Sequence, residues 1–499
     1  MAQANSPRRP WFILTVASAG VGAGLFGFSL LGPSPVAAAE PAGSATSASA
    51  GGSDGAVASA PSRYTRVIGS RSSRRDEPRT AEARSGDRRT RLRTAAADRS
   101  ATDEASPVEQ DAPAPSKARW NKRPTVDPQQ LTGVLDGPIT GTVGAVDPDG
   151  DPLQYRVARG PRSGSVTIDD DGMFTYTPDA KFNGVDTFRV IAVDAASQPT
   201  FLRPIGTRAT ALINQGAIQF DFTYGEGAQY WTPDRQAALE QAANDLAAYF
   251  RVRKPVTLTY SVTGSDDPSA DLLASAGSDY VRQLPGFWPL IAQKKLLTGR
   301  DLNGRKPDGE IDWNFGFSWG LSDTVSDDEY DFTSTAMHEL LHSFGFLSGV
   351  QTPGDNAVRV WSLFDRYLRT ADGKAPFTPA YRWKSRYNAT LTGADGGFFF
   401  GGPQAVAAYG GLVPLFTPNP WEQASSMSHL DDFTFTGANQ QLMNAKTDTG
   451  VGVRVLSPTE IGILRDLGYD VQPPALAFAG LLVPIMRRRR ARSAVEDAP

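Results

Sequence analysis

The chain of 499 residues contains no cysteine and only three histidines. Without cysteine it can form no disulfide, no thiolate nucleophile and no thiolate metal site, and no thiolate can keep a precursor inactive. The lack of disulfides does not argue against export, because oxidising compartments permit disulfides without requiring them. Any transition-metal site must therefore use the histidines or the carboxylates.

The central part of the chain also lacks an excess of positive charge. The whole chain has a net charge of −4, and residues 126–474 carry 27 Lys and Arg against 41 Asp and Glu. Nucleic-acid binding needs a basic surface, so we expect no nucleic-acid partner for this part. The length exceeds the roughly 250–300 residues at which one core stops growing, which predicts more than one domain.

The N-terminal residues have the pattern of an export signal. Two arginines precede an apolar run over residues 11–32, and an Ala-x-Ala site ends at Ala39, just before Glu40. This pattern predicts a signal peptide over residues 1–39. The alternative is an uncleaved membrane anchor, because about 20 apolar residues can span a bilayer.

Two biased segments flank the remaining sequence. Residues 40–124 are rich in Ala, Ser, Pro and Arg and nearly free of aromatics, which predicts a disordered linker. Residues 473–499 join a proline pair, a short apolar stretch and four arginines, and they resemble the sorting tails of bacterial surface proteins. The alternative is a disordered basic tail. Together the two ends predict a secreted or cell-surface bacterial protein, with membrane or cell-envelope attachment through its termini.

Residues 125–206 predict a small all-β sandwich. Three short segments alternate apolar and polar residues between Gly, Asp and Pro turns, at 153–157, 165–168 and 173–176. With the turn string at 147–151, these segments resemble bacterial cadherin-like or Ig-like modules. Some modules of that class bind calcium. Asp147, Asp149 and Asp151 are therefore either Ca²⁺ ligands or simple turn residues.

Residues 207–472 have a mixed pattern that predicts an α+β domain. Alternating segments at 217–222, 256–262 and 311–317 predict strands. A helix is predicted to begin after Thr232, and a capping box at Ser457 predicts another that ends at Gly468. The strand at 311–317 is either an edge strand that pairs with an extended peptide or a central, buried one.

The run from His338 to Phe346 contains the candidate metal-binding and catalytic residues. His338 and His342 stand four residues apart, with Glu339 beside the first. On a helix, positions i and i+4 share one face, so the two imidazoles can bind one zinc ion while Glu339 reaches the water that attacks a carbonyl. The alternative is a buried helix on which these polar residues are incidental.

The string His-Glu-x-x-His-x-x-Gly resembles the metzincin family of zinc peptidases. Ser348 stands where most members have a third histidine, and the order of the later motifs resembles the leishmanolysin-like branch, in which an insertion precedes that histidine. Over residues 207–472 this resemblance implies a metzincin-like catalytic domain with a mixed sheet, an active-site helix and a C-terminal helix. It also implies His429 as the third zinc ligand and Met443 as the methionine turn.

The predicted function is a secreted or surface-attached zinc endopeptidase that acts on protein or peptide substrates, with Glu339 as general base and acid. One alternative is an acidic third ligand, as in gluzincin- or aspzincin-like sites, for which the candidates are Asp355, Asp365 and Glu422. Another is a non-catalytic adhesion protein with a relic zinc domain. The insertion at 347–428, rich in Gly and aromatics, either walls the cleft or only packs.

Overall fold

The computed structural model describes residues 36–41, 122–131, 137–194, 206–270 and 272–473, the first range as backbone only. The predicted signal peptide and linker lie largely outside the described residues, and so does all but the first residue of the predicted C-terminal tail. The exception near the N-terminus is strand β1, Val36–Pro41, which spans the predicted cleavage point. No helix within the described ranges has the length and apolar character needed to cross a membrane.

A small β-sandwich begins after residue 122. Its strands are β2 (Thr125–Val126), β3 (Gln129–Gln130), β4 (Ile139–Thr142), β5 (Ala145–Val146), β6 (Leu153–Arg159), β7 (Gly164–Ile168), β8 (Met173–Pro178), β9 (Val185–Asp194) and β10 (Gly206–Asn214). They form the antiparallel sheets β3-β4-β8-β7 and β10-β9-β6 and the pair β2-β5. Phe174, Tyr176, Phe188 and Ile213 are buried in one cluster, because alternate side chains of each strand face inward.

The sandwich is joined to the second part of the chain by a short connection. β10 pairs with β9 along its whole length, so the sandwich extends to Asn214, beyond the predicted end at residue 206. The backbone N–H of Asn214 donates to the Gln130 side chain at 2.9 Å, and its side-chain amide donates to the Val252 carbonyl. Only residues 215–217 separate β10 from β11. The hydrogen bonds of Asn214 to Gln130 in the sandwich and to Val252 in the second part hold this short junction.

The second part contains fourteen further strands and five α-helices in its described residues. They are β11 (Ile218–Tyr224), α1 (Pro233–Ala247), β12 (Phe250–Arg251), β13 (Val256–Ser265), β14 (Ala274–Gly277), β15 (Gly286–Trp288), α2 (Ile291–Thr298), β16 (Gly309–Asn314), β17 (Trp319–Gly320), β18 (Tyr330–Asp331), α3 (Phe332–Ser343), β19 (Val360–Ser362), β20 (Leu368–Thr370), β21 (Phe398–Phe400), α4 (Pro403–Tyr409), β22 (Val413–Pro414), β23 (Lys446–Thr447), α5 (Pro458–Asp466) and β24 (Asp470–Val471). Six short 3₁₀ turns lie between them, at Ala228–Tyr230, Phe364–Tyr367, Ser385–Tyr387, Ala389–Thr392, Ala394–Gly396 and Gly437–Asn439.

The main sheet is mixed, with the strand order β11-β13-β16-β14-β1-β23. β11, β13 and β16 are parallel, and β14 is antiparallel to β16. β16, which was predicted as residues 311–317, therefore lies between two strands, and the central position is the correct one. Alternation of apolar and polar residues shows which face of a strand is buried, but not whether both of its edges are paired, so it could not decide this. In the structure β16 has β13 on one side and β14, an antiparallel strand of small residues, on the other.

The predicted helix starts are present in the structure. The Thr232 side chain caps α1 by accepting from the Arg235 amide, and Pro233 occupies the first helical position. The cap of α3 was not predicted: Asp331 accepts from the Ser334 amide at 3.0 Å, and it also pairs with Arg454 at 2.7 Å. A capping box formed by Ser457 starts α5. These caps fix where each helix begins and so which face it buries.

The aromatic run of the insertion packs into the fold. β20, β21 and β22 form a small antiparallel sheet, and Phe398 and Phe400 on β21 are almost fully buried. The Phe400 ring lies 4.8 Å from the Phe364 ring and 5.1 Å from the Tyr367 ring. These phenylalanines therefore form core, as the packing alternative supposed.

Candidate metal centre

Helix α3 presents two histidines from within the core. Met337, Leu340 and Leu341 are buried on this helix, which fixes its position against the sheet. His338 and His342 are also buried, at 4% and 0% exposure. They project from the same face of the helix, one turn apart. The nitrogens of a buried imidazole need hydrogen-bond or metal partners, so the atoms around these two rings determine which role the rings can have.

Gly345 lets the chain turn back onto His342. Its φ is 95°, a conformation that glycine adopts readily, and an added Cβ would lie 2.7 Å from the side-chain oxygen of Gln293. After this turn the Phe346 carbonyl lies 2.7 Å from His342 Nδ1. The glycine of the motif therefore ends the helix and also places a hydrogen-bond acceptor for the second histidine.

His429 reaches the same place from a distant loop. Its backbone is fixed on both sides, because the Phe416 amide donates to the His429 carbonyl at 3.0 Å and the Leu430 amide donates to the Met443 carbonyl at 2.8 Å. The Ser348 amide also donates to Ser428 Oγ at 3.1 Å, which ties this loop to the chain that follows α3. The His429 side chain is fully buried as a result.

The three histidines form a tight triangle. His338 Nε2 lies 2.9 Å from His342 Nε2 and 3.0 Å from His429 Nε2, and the third side of the triangle is 3.0 Å. Among the described residues, this is the one group of three or more His, Asp or Glu side chains whose donor atoms lie close enough to hold one metal ion. The structure therefore brings together the three histidines that the sequence proposed as ligands.

Each imidazole has its other nitrogen on a backbone carbonyl. His338 Nδ1 lies 2.7 Å from the Leu442 carbonyl, His342 Nδ1 2.7 Å from that of Phe346, and His429 Nδ1 2.7 Å from that of Ser425. A carbonyl only accepts, so each Nδ1 carries the proton and donates. In the neutral ring Nε2 then has a lone pair and no hydrogen.

Burial keeps these rings neutral. It lowers the pKa of His338 to about 4 and that of His429 to about 3, and the pKa of His342 lies well below its ordinary value because of burial and its two imidazole neighbours. Three lone pairs thus converge at about 3 Å with no proton between them. A cation among the three nitrogens would relieve this repulsion, and an all-imidazole donor set suits zinc.

The remaining predicted residues occupy distinct places. Glu339 is fully buried beside His338 on α3. Met443 is also fully buried and follows Leu442, whose carbonyl holds His338. The sequence did not identify Glu460 as part of this arrangement, although it marked Glu460 as a helix cap.

Glu460 supports the turn beside the histidines. Its Oε1 accepts from the Met443 amide at 2.8 Å, and its Oε2 accepts from the Ser457 amide at 2.7 Å. Burial raises the pKa of this carboxyl, and the backbone hydrogen bonds oppose that rise. One buried side chain therefore caps α5 and fixes the segment that carries the Leu442 carbonyl.

The acidic alternatives for the third ligand lie elsewhere. The Asp365 carboxylate accepts from Ser348 Oγ at 2.6 Å and from the Gly349 amide at 2.9 Å, and it braces the loop after α3. Glu422 pairs with Lys446 at 3.2 Å, and Asp355 is exposed. None of the three joins the triangle.

The aspartates of the sandwich loop are not gathered into one donor group in the described structure. Asp147 Oδ1 accepts from the amides of Asp149 and Asp151, at 2.8 and 3.2 Å, as in an Asx turn. Asp149 accepts from the Lys122 amide at 2.6 Å. Calcium binding here stays a prediction.

Comparison with known proteins identifies one region. The family model described as a bacterial Ig domain matches residues 121–201. This match confirms the Ig-like part of the predicted organisation, and it agrees with the two facing sheets between β3 and β10. No curated protein matches the chain.

Proposed function

We propose that this protein is a zinc-dependent endopeptidase in which His338, His342 and His429 bind the metal. The observation that carries the proposal is the triangle of Nε2 atoms at 2.9–3.0 Å, each ring fixed through Nδ1 on a carbonyl. Its helix, distant third histidine and buried methionine support the resemblance to metzincins of the leishmanolysin-like branch.

Bound zinc would supply a Lewis acid that polarises the scissile carbonyl and acidifies water. Glu339 would take the proton from the attacking water and return it to the leaving amine. The position of Glu339 next to a ligand on the same helix, fully buried, supports this role, since a buried carboxylate in a dry site interacts strongly with a nearby proton. The carbonyls of Leu442, Phe346 and Ser425 keep the Nε2 lone pairs available.

The decisive change is Glu339→Gln, which keeps the shape of the side chain and removes its basicity. We expect peptide hydrolysis to fall by about 10²–10⁴-fold, the usual contribution of a general base, while zinc content stays at that of the unsubstituted chain. Casein digestion and metal analysis measure the two quantities.

Glu226→Gln is the matched control, because Glu226 is an exposed glutamate elsewhere in the chain. It should leave both quantities unchanged. Full hydrolysis by the Glu339→Gln chain, or by the unsubstituted chain after chelation, would refute the mechanism.

An adhesion protein with a relic zinc domain is the second candidate. The matched bacterial Ig domain favours it, since such domains are often extracellular, and the same fact supports placing the protein outside the cell or on its surface. A purified, zinc-loaded chain that does not cleave peptides would favour this alternative.

A further inference from the structure

Strand β1 fills a position between two distant strands of the main sheet. On one side it is antiparallel to β14, with Ala37 opposite Ala276 and Ala38 opposite Ser275. On the other side it is parallel to β23, with Glu40 opposite Lys446. Its partner changes between Ala39 and Glu40, so the first four residues pair with one strand and the last two with the other.

This position lies beside the histidine triangle. Both β1 and β14 lie against α3, the helix that carries His338 and His342. Lys446 and Thr447, which pair with β1, line a pocket that also includes His338. The backbone of residues 36–41 therefore runs along the helix that carries the metal ligands.

We propose that β1 is a built-in occupant of the strand position that an extended peptide substrate would take, and that it excludes other peptides while it is there. The proposal rests on the proposed peptidase function. Backbone pairing recognises a peptide with little regard to its sequence, so a segment of the same chain can compete for the position. Being tethered, this segment competes at an effective concentration on the order of millimolar.

The predicted export cleavage would open this position. Hydrolysis of the Ala39–Glu40 bond by a leader peptidase adds water, leaving a carboxylate on Ala39 and an amine on Glu40. The cut falls where the strand changes partner, so the four residues paired with β14 would leave with the leader. Removal of the export signal and access to the cleft would then be one event.

The test uses the full chain carrying Glu339→Gln, so that no peptide is cut. The probe is a fluorescent peptide of the sequence Val-Ala-Ala-Ala-Glu-Pro, and its binding is followed by anisotropy. A second chain adds Ala37→Pro and Ala38→Pro. Successive amides of a strand point to opposite sides, so one of these prolines removes a hydrogen bond to β14.

The control chain carries the same change at another pair of adjacent alanines, Ala95→Pro and Ala96→Pro. We expect the chain with prolines in β1 to bind the peptide about tenfold more tightly than the other two, as when an occupant fills a site nine-tenths of the time. Equal binding by all three chains, or binding by none, would overturn the proposal.

Amide hydrogen exchange on the unsubstituted chain gives a second measurement that does not depend on how a variant folds. Residues 36–41 should be protected, and exchange there at the rate of a free peptide would overturn the proposal. A gain in peptide binding without hydrolysis by chains that keep Glu339 would still support occupancy while refuting peptidase function. Hydrolysis without any gain in binding would refute occupancy alone.

Discussion

At the scale of single residues, His429 completes the group of three histidines that could hold a metal ion. The two imidazoles on α3 follow from their spacing, but the third histidine of the candidate site comes from a loop 87 residues beyond His342. The sequence could propose it because so few histidines are available. It could not show that the Ser425 carbonyl orients the ring, since this depends on the conformation of the loop.

Replacing the third ligand tests this assignment. We expect His429→Ala to lower zinc affinity by more than about a hundredfold, beyond the effect typical of residues that only orient a ligand. Asp365→Ala serves as the comparison, because Asp365 braces the same region without a donor atom in the triangle. It should retain zinc, although it should unfold at a lower temperature. Full zinc in His429→Ala would require another ligand, and zinc binding by titration decides the matter.

Asp432 gives a pH dependence that belongs to one carboxyl. Burial raises the pKa of Asp432 to about 7 from its ordinary 3.8, against the backbone hydrogen bonds that it accepts from Ala445 and Lys446. Between these pH values the unfolded chain holds fewer protons than the folded chain at this group. The contribution of Asp432 to stability therefore falls as pH rises from about 4 to 7.

Asp432→Asn should remove that dependence. We expect the zinc-loaded variant to melt at a higher temperature than the unsubstituted chain at pH 8, and the increase to be markedly smaller at pH 5. Asp448→Asn, at an exposed aspartate, should change neither value. Equal melting shifts for Asp432→Asn at the two pH values would contradict the assignment.

At the scale of elements, capping chemistry and periodicity anticipated the helices better than the sheet. Thr232 and Ser457 start their helices through short-range hydrogen bonds, which follow from the local sequence. β14 (Ala274–Gly277) has small residues and no alternation of apolar and polar side chains, so it gave no signal. Which strand lies at the edge depends on pairing between distant segments, and the sequence alone leaves that open.

The same limit applies to Glu460. Its capping box was evident from the spacing to Ser457, yet its second bond, to the Met443 amide, joins two elements. The packing of α5 against the turn at Leu442 decides that contact, and no local pattern reports it. The three histidines of the candidate site could therefore be predicted from the sequence, but the groups that orient them could not.

At the scale of the whole molecule, metal binding should act as a cross-link. An ion held by His342 and His429 closes a long loop that contains the insertion, and this limits the unfolded chain in the way that a disulfide would. The chain has no disulfide to share this role.

Removing the metal should therefore lower stability measurably. At a zinc concentration about a hundred times the dissociation constant, binding contributes about 2.7 kcal/mol, and a chelator should lower the melting temperature by roughly 5–10 °C. Calorimetry with and without chelator measures this shift. The His429→Ala chain should show almost none, and an equal shift in that chain would mean that the chelator acts elsewhere.

The three-residue junction between the Ig domain and β11 has a mechanical consequence. Asn214 is bonded to Gln130 on one side and to Val252 on the other, so the junction gives little slack. A force applied to the Ig domain would therefore be transmitted directly to β11, the edge strand of the main sheet. A mechanical load on this domain would then reach the sheet against which α3, the helix of His338 and His342, packs.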